Sequence, residues 1–100
     1  MSSWPFDQPR DCAVISLKAI MTEGAPILFV SHDADDHGWQ FLGLEPVDPK
    51  AAVVVALSEV VALDSTLLEI AGLPPGWCAW RDSPSAPWQR AEASSLEDNQ

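Results

Sequence analysis

The sequence predicts an α+β domain with a mainly antiparallel sheet of about four or five strands and short helices packed on one face. Three observations carry that expectation. Pro26 to Leu42, PILFVSHDADDHGWQFL, sets two apolar runs around one acidic loop, the signature of a β-hairpin. Ala51 to Leu57, AAVVVAL, is continuously apolar and β-branched, which predicts an interior strand covered on both faces. Short helical patterns closed by Ser, Asp and Gly lie before and after these strands.

The 100 residues suit one domain with a core of its own, since 47% are hydrophobic. Residues 1–11 read as an irregular N-terminal arm, with Trp4, Pro5 and Phe6 stapling it to the body. Residues 12–81 read as the single α+β domain. Within it, Cys12 to Ile15 is the first strand. Ser16 then caps a helix carrying Leu17, Ile20 and Met21 at helical spacing, and Gly24 ends it. In the hairpin, Ile27, Phe29 and Ser31 face one side and Leu28, Val30 and His32 the other. Ile27, Phe29, Trp39 and Phe41 are the expected heart of the core. The loop Asp33 to Gly38 is too long for a two-residue turn and too polar to bury.

After the β-branched run, Ser58 opens a helical stretch that breaks at Asp64-Ser65, a good second N-cap, with Glu69 placed to cap in the first turns. Gly72 terminates the second helix and Pro74-Pro75-Gly76 turns the chain into a last strand, Trp77 to Arg81. Residues 82–100, rich in Ser, Pro, Ala and acids, read as an extended and largely disordered acidic tail, ordered only where Trp88 docks.

Charge narrows the partners. Five Lys+Arg against fifteen Asp+Glu give a formal net charge of −10. That field repels nucleic acid and anionic membranes and favours a basic protein partner. The first residues lack the basic and apolar regions of a signal peptide, and no apolar run is long enough to span a bilayer, so a cytoplasmic protein is expected. In that compartment Cys12 and Cys78 are expected to be reduced and mostly buried; a disulfide requires that they sit on neighbouring strands.

The loop HDADDHG draws a metal reading, because His32 and His37 stand among Asp33, Asp35 and Asp36. It also begins like a calcium loop, but Leu44 occupies the place of the closing bidentate Glu and strands flank it. A solvated acidic tip is the simpler account. His32 and His37 remain weak metal candidates, and no cofactor is expected. No motif of nucleophilic, phosphate-binding or zinc-hydrolase chemistry is present, so the chain reads as a non-enzyme. Five tryptophans are the unusual feature of the composition. Core filling explains most of them. Trp77 and Trp80 with Asp33, Asp35 and Asp36 form the expected binding set, aromatic anchors within an acidic rim. Arg81 beside Trp80 and Arg90 near Trp88 read as surface side chains whose stacking or pairing contributes little.

The hairpin segment, the run AAVVVALSEVVALDSTLLEIAGLPPGW and the closing AWR resemble small uncharacterised bacterial proteins of this length. They are also loosely similar to α+β immunity proteins of bacterial toxin systems. The likeness covers Cys12 to Arg81 and implies binding and neutralising a cognate toxin. Three readings follow: an acidic immunity or inhibitor protein for a basic partner, a metal-binding protein or enzyme built on His32 and His37, and a small homodimer subunit pairing through an edge strand.

Overall fold

A computed structural model describes residues 4–45 and 48–93. Among the described residues six strands form one mixed sheet. They are β1 (Ala13–Leu17), β2 (Phe29–His32), β3 (Trp39–Leu42), β4 (Ala52–Ala56), β5 (Trp77–Trp80) and β6 (Gln89–Glu92), in the order β4-β1-β3-β2-β5-β6. Every neighbouring pair is antiparallel except β1 and β3, which run parallel with Ile15 beside Gln40. The fold is α+β with a mostly antiparallel sheet, and the expected hairpin supplies its two central strands. The count exceeds the expected four or five because β6 lies in the stretch read as tail.

The helices gather on one face. Helix α1 (Lys18–Glu23) follows β1 and α2 (Leu57–Leu63) follows β4; a 3-10 helix, Ser65–Ile70, completes the layer. Alternation along the strands turns Val14, Val30, Trp39, Phe41 and Ala79 toward it. There they bury against Ile20, Leu57, Val60, Leu67, Ile70 and Leu73. The described part of the N-terminal arm, residues 4–11, belongs to this core; residues 1–3 lie outside the described residues. Phe6 is buried and its ring meets Trp39 edge-on at 5.2 Å, Trp4 lies 5.3 Å from Phe6, and Arg10 covers Trp4.

Several local expectations give way to tertiary structure. Ser16 does not cap α1. It sits inside β1 with its hydroxyl donating to the Phe41 carbonyl at 2.9 Å, and α1 starts after Leu17 without a side-chain cap. Ser58 likewise lies inside α2, whose N-cap is Ala56. Gly24 does end α1, at φ 75, and Asp64 does cap the second helix, accepting from the Thr66 N–H at 3.0 Å. Gly72 shows no left-handed φ; among the described glycines that role falls to Gly24 and Gly76. Glu69 makes no cap, and its carbonyl accepts from Arg90.

The largest correction concerns β4. It is an edge strand, not an interior one: Val54 is 71% exposed. The face opposite the helices has no covering layer among the described residues. Val54, Ile15, Phe29 and Trp80 lie on it, so Phe29 is half-buried there and Val30 takes its expected place in the core.

Candidate functional site

The acidic tip is built by the strands on either side. Pairing of His32 with Trp39 ends the β2–β3 ladder, and the Asp33 N–H donates to the Gly38 carbonyl at 2.8 Å to close the loop. Within it the Asp36 carboxylate accepts from the Gly38 N–H at 2.8 Å, and Asp33 accepts from the Gln40 amide at 3.2 Å. His37 takes the left-handed φ of 58, a conformation few non-glycine residues adopt. Asp35, Asp36 and His37 are exposed.

The two histidines have different surroundings. His32 is 4% exposed and stacks on Trp39 at 4.1 Å with planes 15° apart. Its Nδ1 lies 2.7 Å from the Leu73 carbonyl, which can only accept, so Nδ1 carries a proton. Its Nε2 is buried without a partner among the described residues. The His37 ring stands 6.3 Å away, nearly perpendicular. Among the described residues no group of three or more His, Cys, Asp or Glu side chains is arranged to hold a metal ion.

Beside the tip, β5 and β6 add a neighbour that the sequence did not reveal. Trp77 pairs with His32 on one side and with Glu92 on the other. Together with Asp33, Ala34 and Gly76 these residues line a shallow cleft of about 360 Å³. Gly76 fixes its floor: at φ 89 it donates to the His32 carbonyl at 2.6 Å and accepts from the Ala93 N–H at 2.8 Å. Nothing short of the β5–β6 pairing announces Glu92. Trp80, in contrast, lies across from Phe29 at the far end of β5 and on the uncovered face. The structure therefore brings Asp33, Asp35, Asp36 and Trp77 to one end of the sheet and leaves Trp80 away from them.

Comparison of the chain with protein-family models, curated proteins and solved structures finds no match.

The remaining polar features serve the fold. Arg81, read as a surface side chain, is 1% exposed. Its five N–H donors all find acceptors: the Ile27 carbonyl twice, the Thr66 hydroxyl, the Pro84 carbonyl and the Asp64 carboxylate. Its guanidinium lies 4.1 Å from the ring centre of Trp88, not over Trp80. For Asp64, burial works to raise the pKa. Hydrogen bonds from Thr66 and Arg81 outweigh it and hold the carboxyl below its usual range.

Cys78 is buried and its thiol is pushed up by that burial, away from the thiolate a nucleophile needs. Cys12, half-buried and just ahead of β1 rather than within it, is also free, and β3 and β2 stand between β1 and the β5 strand that carries Cys78. No described helix is long and apolar enough to cross a membrane.

Proposed function

We propose that this protein is a non-enzymatic binding module whose acidic hairpin tip docks a basic protein partner, as an immunity or inhibitor protein does. The observation that carries this reading is the company Asp35 and Asp36 keep. Both are exposed at the end of the central hairpin, and half-buried Trp77 and acidic Glu92 line the neighbouring cleft with Asp33. An aromatic anchor in a cleft shared with Asp33 and Glu92, next to an exposed acidic loop, suits a lysine- or arginine-rich surface, and the net charge of −10 steers such a surface inward. Strands on both sides of the hairpin hold the tip in place, so little ordering entropy opposes docking.

The test is titration of a short arginine-rich peptide against paired substitutions. Asp35→Asn with Asp36→Asn is expected to weaken binding by about two- to tenfold, the scale of two exposed ion pairs. Glu23→Gln with Asp82→Asn removes the same charge at the opposite end of the sheet and is expected to change binding less. Equal losses from both pairs would show that net charge alone attracts the peptide and that the tip is not the site.

A further inference from the structure

The two edges of the sheet are built differently. Strand β6, QRAE, carries Arg90 and Glu92, and charged side chains on an edge discourage another strand from adding to it. Strand β4, AVVVA, carries no charge, no proline and no bulge between Ala52 and Ala56. It has none of the usual protections of an exposed edge.

Its backbone groups show what would fit there. The Leu57 N–H donates to the Cys12 carbonyl at 2.8 Å, so Leu57 faces β1. Antiparallel alternation then turns Val55 and Val53 toward β1, and Ala52, Val54 and Ala56 outward. Two of the outward groups are already used. The Ala52 N–H donates to the Pro49 carbonyl, and the Ala56 carbonyl opens the first turn of α2. Left without a partner among the described residues are the N–H and C=O of Val54, the N–H of Ala56 and the C=O of Ala52.

We propose that β4 is a self-recognition edge, pairing antiparallel with β4 of a second copy about a two-fold axis at Val54. That register makes Val54 of each copy exchange both bonds with its counterpart. It also sets the Ala56 N–H of each against the Ala52 carbonyl of the other. The bonds it forms use the free groups and leave aside the two that are taken. Each Val53 lies across from Val55 of the second copy on the helical side, where both are half-buried in one chain, and β-branched pairs across strands are favourable. The contact closes on itself, because the remaining edge is the charged β6.

Sedimentation equilibrium of the full chain tests the pairing. The expected result is a monomer–dimer equilibrium with a dissociation constant on the order of 10–100 µM, since one strand pair buries less than the roughly 1,200 Å² of ordinary interfaces. Val54→Pro removes an outward N–H that the single chain does not use, and is expected to give a monomer with an unchanged circular dichroism spectrum. Ile15→Lys places a charge on the uncovered face but not on the edge, and is expected to leave the dimer intact. Hydrogen exchange at the Val54 and Ala56 amides is expected to slow as protein concentration rises, a readout that needs no substitution. A wild-type chain that stays monomeric at several hundred micromolar would overturn the proposal. So would a dimer that survives Val54→Pro and is abolished by Ile15→Lys, because that result assigns association to the sheet face.

Discussion

Arg81 ties its own strand end and the nearby turn at Pro84 to two parts of the chain distant in sequence: Ile27 before β2 and the Asp64–Thr66 corner after α2. Its neighbours in sequence, Trp80 and Asp82, gave no reason to expect burial, because the acceptors come from elsewhere. Removing one partner of such a group leaves buried polar atoms unsatisfied. Arg81→Met is expected to cost about 3–5 kcal/mol in urea unfolding, and Asp64→Asn about 1–3 kcal/mol. The pH dependence has a definite sign. Asp64 titrates below its ordinary value of 3.8 in the folded chain, so its contribution is fully present above that value. It is lost as pH falls through the lower folded value. Unfolding free energy measured from pH 5 downward should decline less steeply in Asp64→Asn than in the wild type.

The elements were legible where local chemistry decides them. The hairpin around Asp33–Gly38, the helix stop at Gly24 and the cap at Asp64 follow from periodicity and turn chemistry, and the structure places them there. The partner of Ser16, the edge position of β4 and the strand β6 were not legible, each for a physical reason. The Ser16 hydroxyl has two routes to a partner, a helix N–H or the Phe41 carbonyl, and only the sheet order selects the second. A run such as AVVVA reads as covered on both faces whenever apolar residues alternate with apolar residues, yet here one face and one edge are open. QRAE has no strand pattern at all and is extended because β5 offers it a ladder.

Gly24→Ala meets no atom within 4 Å, so its cost is conformational alone, about 1–2 kcal/mol for a left-handed φ. Gly72→Ala is equally unobstructed but has no positive φ, and is expected to be neutral or stabilising by up to ~1 kcal/mol. Thermal unfolding of the two variants separates the effects.

For the molecule as a whole, the candidate site was half visible in the sequence. The acids and Trp77 were read from their types, whereas their common end of the sheet, and the separation of Trp80 from it, required the strand order. The charge that draws a basic partner opposes self-association, so salt should act on the two contacts in opposite directions. Screening two chains of −10 is expected to strengthen pairing through β4, which carries no charge of its own. The same screening is expected to weaken peptide binding at the tip. Sedimentation and titration at about 0.05 M and 0.5 M salt give both signs, the lower and higher values lying on either side of a Debye length of ~10 Å. A common direction would mean that one of the two contacts is not where it has been placed.

The strand order also sets a timetable. β2 and β3 are joined by a short loop and need only local closure, whereas β1 must enter between β3 and β4, with Ala13 meeting Ala56. A ribosome releases β1 before the other described strands, yet both of its neighbours, β3 and β4, follow it in the chain. Refolding is therefore expected to nucleate on the central hairpin and to finish at the β1–β4 seam. Val30→Ala should slow folding, while Val55→Ala should mainly speed unfolding, in stopped-flow measurements. Until that last step, the nascent protein holds its N-terminal strand in waiting.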